Sequence, residues 1–309
     1  MRIVFMGTPE AAVPTLRRVV EAGHEVVAVW TQPDKPAGRG NKLTAPAVKV
    51  AATLLGLKIH QPSKIRTAEA KSLFTSHEAD LAIVVAYGRI LPAEFLQAPR
   101  RGCINVHFSL LPQYRGAAPV NWAIVNGDQQ TGVTTMMIEE ELDSGPILLQ
   151  KATPIEERET APHLMLRLAD MGAGLLDETL KQLDQITPQP QRNDDASFAP
   201  VLKRSDGLID WTKNAVAIEL MVRGFQPWPN AYSHHSGNRI VIWQAEARPT
   251  TDQTAATGEV LKASGAELIV KCGEQTELQL VEIQPEAKRR MSVRDYLNGA
   301  HLQTGSRFQ

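Results

Sequence analysis

The chain has 309 residues, with 33 basic against 34 acidic side chains, a net charge of −1, 43% hydrophobic and 22% charged residues. That balance excludes a disordered, collagenous or coiled-coil protein and any strong overall attraction for polyanions. The length predicts two domains, and the longest apolar run, residues 81–86, falls far short of the roughly 20 that cross a bilayer.

From Met1 the chain runs directly into a β-rich segment at 2–6 (RIVFM), so no cleavable signal is expected. Gly7-Thr8-Pro9 breaks that strand, and Pro9 suits the first turn of a helix over about 10–22. Gly23 ends the helix, and EVVAVWT at 25–31 reads as a second buried strand. The alternation continues with a helix near 46–56, a strand at 57–60, a helix at 67–77, and strands at 80–86 and 102–107. Further strands at 132–138 and 147–152 and a helix at 161–183 complete this region. Such alternation implies right-handed crossovers and an α/β, Rossmann-like domain built on a mostly parallel sheet. The runs EVVAVW and LAIVVA lack polar alternation, as strands covered on both faces do.

Residues 187–206 are rich in Pro, Asn, Asp and Gln and read as a linker between a first domain at 1–186 and a second at 207–309. In the second, a helix at 213–223 precedes short runs at 230–235, 239–247, 257–262, 267–271 and 276–283. Strand runs without intervening helices predict a small OB-like β-barrel. The two cysteines, Cys103 and Cys272, lie far apart without metal-ligand spacing, so a reducing cytoplasm is the expected compartment.

The first strand-to-helix turn carries a single glycine followed by proline, which fits a tight turn far better than a dinucleotide fingerprint. The informative stretch is GCINVHFSLLPQYRGAAPVN at 102–121. Asn105 and His107 stand two apart at a strand's end, so they share a face at the carboxyl edge where open α/β sheets bind ligands. An amide donor and an imidazole there suit oxyanion stabilisation and proton transfer. The irregular loop Ser109, Leu110, Leu111, Pro112 is shaped to wall a flat ligand. Asp143, in LDSGP, reads alone as turn chemistry unless the fold brings it beside His107. Lys35, Arg39, Lys42 and Lys49 stand in a Gly/Pro-rich stretch without an acid, equally a surface loop or a phosphate contact. His234-His235 and Lys288-Arg289-Arg290 read as solvated faces.

NVHFSLLPQYRGAAPVNWAI followed by LDSGPIL resembles the folate-dependent formyltransferases. The resemblance implies a catalytic set of Asn105, His107 and Asp143. It also implies a folate site walled by Ser109, Leu110, Leu111 and Pro112 and, from AYGRILP, by Tyr87, Gly88, Ile90 and Leu91. TQPDKPAGRGNKL and LIDWTKNAVAIELMVRGFQPWPNAY are similar to the branch of that family that formylates methionyl initiator tRNA. That branch implies 10-formyltetrahydrofolate as formyl donor, released as tetrahydrofolate, no metal, and tRNA contacts from Arg39, Lys42 and the barrel domain. A monomer without membrane attachment is the expected state. One departure is Glu139-Glu140-Glu141 before Leu142-Asp143, where the family often has a glycine. Competing readings are a UDP-aminosugar N-formyltransferase, which lacks a need for the basic loop, and an RNA-binding protein with a vestigial core.

Overall fold

The unbroken apolar runs form the inner strands of one sheet. The structure, a computed structural model, describes residues 1–309 apart from 38–41, 251, 253 and 301. Its first unit comprises Met1–Pro119, Gln130–Pro154 and Met165–Ala199, and its second Val120–Gln129, Ile155–Leu164 and Pro200–Gln309.

In chain order the first region contains β1 (Arg2–Gly7), α1 (Val13–Glu21), β2 (Glu25–Trp30), β3 (Lys35–Ala37), β4 (Lys42–Thr44), α2 (Ala47–Leu54) and β5 (Ile59–His60). There follow α3 (Ala68–Thr75), β6 (Leu81–Val85), α4 (Ala93–Gln97), β7 (Cys103–His107), β8 (Arg115–Gly116) and α5 (Pro119–Val125), the last of which belongs from Val120 on to the second unit. The region closes with β9 (Gln130–Met137), β10 (Ile147–Pro154), α6 (Ala161–Lys181) and β11 (Phe198–Ala199). Seven strands form one sheet in the order β10-β9-β7-β6-β1-β2-β5. β1, β2, β5, β6 and β7 run parallel, while β9 is antiparallel to both β7 and β10. Ile3, Val4, Phe5, Met6, Leu81, Ala82 and Ile83 are wholly buried, as strands covered on two faces require. The chain builds outward from β1 to β2 and then to β6 on the other side, so a switch-point crevice opens beyond the carboxyl ends of β1 and β6.

An aromatic group fills the space near β2. Trp30 meets Phe74 and Phe95 edge-on at 5.3 and 5.5 Å, and its Nε1–H donates to His77 Nε2 at 3.3 Å. Burial pushes the His77 imidazole down to about 4.

The expected helix at 10–22 is a 3₁₀ turn at Glu10–Ala12 followed by α1. Pro14 explains the break, because its ring suits a first helical turn, where no N–H is needed. In the basic stretch β3 and β4 pair antiparallel, with Lys35 opposite Thr44 and Ala37 opposite Lys42, and Lys49 lies on α2. Arg39 lies outside the described residues. Within 187–206, Phe198 and Ala199 pair in parallel with Arg115 and Gly116.

The second unit holds α7 (Ala215–Gly224), β12 (Ala231–His235), β13 (Asn238–Pro249), β14 (Val260–Ser264), β15 (Glu267–Lys271), β16 (Thr276–Pro285), β17 (Met291–Ser292) and α8 (Val293–Gly299). Asn214 caps α7 by accepting the Ala217 N–H. That helix buries Ile218, Met221 and Val222 in one core with Ile240, Ile242, Leu278 and Leu280. The strands are antiparallel in the order β12-β13-β16-β15-β14, with β17 on β16. The tail joins the two free edges. Gln309 N donates to His234 O at 2.8 Å, and Phe308 N donates to Gly258 O and Val260 N to Ser306 O, both also at 2.8 Å. Phe308, 2% exposed, lies 5.6 Å from the Trp211 ring. The tail thus bridges β12 and β14 in a C-terminal antiparallel sheet, where the run of short strands predicts a small barrel. Among the described residues no helix is long and apolar enough to cross a membrane.

Candidate active site

β7 lies between β6 and β9, and this fixes where its side chains emerge. Asn105 stands opposite Val84 and Met136, and His107 opposite Thr134. Being two apart, they share one face at the strand's carboxyl end. His107 is 6% exposed, and its Nε2 lies 2.9 Å from the Tyr114 carbonyl oxygen. A carbonyl only accepts, so Nε2 carries the proton and Nδ1 is left for other work. The half-buried Asn105 amide has no hydrogen-bond partner among the described residues.

The turn between β9 and β10 folds back to this strand end. Asp143 Oδ2 lies 3.7 Å from His107 Nδ1 and accepts the Gly116 N–H at 2.8 Å. The tertiary juxtaposition on which any chemical role of Asp143 depends is therefore present. Glu139, Glu140 and Glu141 are exposed, with their charge in solvent.

Ser109, Leu110, Leu111 and Pro112 follow directly and are anchored by residues that sequence reasoning missed. Thr134 Oγ1 donates to Ser109 O at 2.7 Å and accepts the Leu111 N–H at 3.1 Å. Gln150 Nε2 donates to Leu111 O at 2.8 Å and to Thr134 Oγ1 at 2.9 Å. Gly132 lets Leu110 lie against β9, for a Cβ there would meet Leu110 Cδ2 at 2.5 Å and Lys151 O at 2.3 Å. The available signal was the Thr134-Thr135 pair, two polar residues set between Val133 and Met136 in one strand.

Tyr87, Gly88, Ile90 and Leu91 follow β6 at the switch point. Tyr87 O accepts from Thr8 Oγ1 at 3.0 Å and from Gln32 Nε2 at 3.2 Å, so the turns after β1, β2 and β6 are tied together. The Tyr87 ring is buried, its hydroxyl has no partner among the described residues, and burial pushes its ionisation up to about 12. Leu91 is buried and Ile90 exposed. Lys42 is exposed on β4.

Residues 1–180 match the family model described as Formyl transferase, and residues 201–301 match Formyl transferase, C-terminal domain. A methionyl-tRNA formyltransferase of Caldanaerobacter subterraneus subsp. tengcongensis is 45% identical over 313 residues, covering 99% of each chain. Another, of Solibacter usitatus, is 47% identical over 305 residues, covering 98% of this chain and 96% of its own. The chain belongs to the methionyl-tRNA formyltransferase family. Its fold is shared by the N-formyltransferase of Helicobacter canadensis, solved with folinic acid and dTDP-3-aminofucose, at a TM-score of 0.67 and 17% identity over 91% of this chain and 98% of that one. At that identity the likeness is one of fold. Members of this family use folate-derived formyl donors, and the strand-end set, the anchored loop and the switch-point wall lie within the first matched region.

Proposed function

We propose that the chain transfers the formyl group of 10-formyltetrahydrofolate to the α-amino group of methionyl initiator tRNA, releasing tetrahydrofolate. The observation that carries this reading is the meeting of Asn105, His107 and Asp143 at one strand end, with His107 Nδ1 3.7 Å from the Asp143 carboxylate. The folate supplies the formyl carbon and a nitrogen that leaves as an amine. The methionyl amine forms the new carbon–nitrogen bond, the old one breaks, and the proton lost by the attacking amine ends on the departing nitrogen.

The unpartnered Asn105 amide donates to the formyl oxygen as its charge grows, and one such donor is worth roughly 2.7–4 kcal/mol of barrier. His107 takes up and returns the transferred proton at Nδ1, because its Nε2–H is committed to Tyr114 O. Asp143, fixed by the Gly116 N–H, stabilises the cationic ring and holds it in place. The nucleophile belongs to the substrate, so no step calls for a metal.

The residues present fit a folate. Leu110 and Pro112, half-buried on the loop that follows β7, offer it an apolar flank. In this reading 1–186 carries catalysis, 187–206 joins the domains, and 207–309, together with Arg39 and with Lys42 on β4, contacts tRNA. The enzyme acts as a cytoplasmic monomer, to which its buried free cysteines are suited.

The test is a mass-based assay with 10-formyltetrahydrofolate and, separately, methionyl initiator tRNA, a UDP-aminosugar or glycinamide ribonucleotide. Formyl-methionine on the tRNA alone is expected. Transfer to the sugar instead overturns the acceptor, and transfer to none of them overturns the catalytic assignment.

A further inference from the structure

The turn that presents Asp143 is held from outside. Asp143 has a φ of +49°, a left-handed conformation unfavourable for a non-glycine residue. Two residues on, Gly145 passes so close to β9 that a Cβ would lie 2.0 Å from Met137 O. A turn this constrained keeps its shape only if its neighbours fix it.

Gln191 is the neighbour that does so. Its Nε2 donates to Asp143 O at 2.9 Å and to Gly145 O at 2.8 Å, bracketing Ser144 with one amide. Its Oε1 accepts from Arg115 Nε at 3.0 Å. Arg115 is 3% exposed, and its guanidinium also donates to Asn193 Oδ1 at 3.1 Å. That guanidinium sets the direction of the amide, since a flipped Gln191 would turn its oxygen onto two carbonyls and its NH₂ onto a cation. The residue after Arg115 is Gly116, whose N–H holds the Asp143 carboxylate. Backbone and carboxylate of Asp143 are thus tied to one short segment, the carboxylate directly and the backbone through Gln191.

We infer that Gln191 is a positioning residue for Asp143, an inference that rests on the proposed catalytic role of that aspartate. It lies between the two family-matched regions, which end at 180 and resume at 201. The joining segment therefore takes part in the active site of the domain before it. Ångström-scale misplacement of a catalytic group costs on the order of 10²-fold in rate.

The experiment uses the full chain. Wild type, Q191A, Q191E, D143A and the D143A/Q191A double variant are compared in formylation of methionyl initiator tRNA, alongside amide hydrogen exchange. Q191A is expected to lower kcat about 10- to 100-fold with KM for both substrates within about twofold. Q191E, which sets a carboxylate against two carbonyls, is expected to be at least as slow. Exchange should quicken over 142–146 while β7 stays protected, which separates a local effect from a failure to fold. The double variant should be no slower than D143A, because a residue acting through Asp143 has nothing left to position. An unaltered turn in exchange, a kcat for Q191A within twofold of wild type, or a full further loss in the D143A background each overturns the inference. A wild type inactive on tRNA instead overturns the function proposed above, and the exchange comparison still decides the role of Gln191 in holding the turn.

Discussion

Strand β7 and the turn at 139–146 present facing sides of one site and are held by different means. β7 is paired on both edges, with β6 and β9, so Asn105 and His107 are placed by a backbone ladder that no side-chain substitution removes. Asp143 sits on a largely exposed turn and depends on Gly116 and on the Gln191 amide. Substitutions on the strand should therefore report chemistry, and substitutions around the turn and the loop should report geometry.

The largest effect belongs to the strand. Asn105→Ala should lower kcat about 10²- to 10³-fold, with melting temperature and tRNA affinity nearly unchanged. Single-turnover formylation on saturating tRNA measures it, and an equal loss of tRNA binding would place Asn105 in substrate docking instead. Next comes the ladder's polar inset. Thr134→Val keeps the shape but leaves Ser109 O and the Leu111 N–H short of a partner, at a cost of about 1–3 kcal/mol. Urea denaturation should show that loss, and KM for the formyl donor should rise more than kcat falls.

A smaller effect tests whether the rest of the sheet responds as a unit. His77 ionises near 6.5 when unfolded and about 4 when folded, because of burial and of His60, Lys58 and Arg2 nearby. The unfolded chain thus takes up the proton first. The contribution is complete above pH 6.5 and is lost as pH falls through this window towards about 4. His77→Gln, which still accepts from Trp30, should lose less stability between pH 7 and pH 5 than wild type in urea titrations. The smallest effect lies on the β3–β4 pair, which carries neither ladder nor clamp for the site. Lys42→Ala should weaken tRNA binding a few-fold and reduce the salt slope by about 1. An unchanged slope would leave Lys42 a surface residue.

The strands of the first sheet were legible because buried parallel strands need unbroken apolar runs, and Asn105 and His107 because their spacing on such a strand decides their face. The approach of Asp143 to His107 was not legible from spacing, since it depends on how β9 and β10 return to β7. Family resemblance supplied that pairing. Gln191, Gln150 and Arg115 escaped both routes. Gln191 and Gln150 act on backbone carbonyls, and a carbonyl has no sequence signature. The β3–β4 pairing was hidden because Pro36 and the glycines interrupt any alternation, and β8 and β11 because two-residue strands leave no period to detect.

The tail that bonds to both outer strands has a consequence for association. Residues 306–309 occupy the backbone of His234 on β12 and of Gly258 and Val260 at the start of β14, groups that would otherwise be open to another molecule. Deleting those residues would open two sticky edges at once and uncover the apolar seat of Phe308. Such a shortened chain should aggregate in proportion to its concentration, so these last residues protect solubility as well as stability.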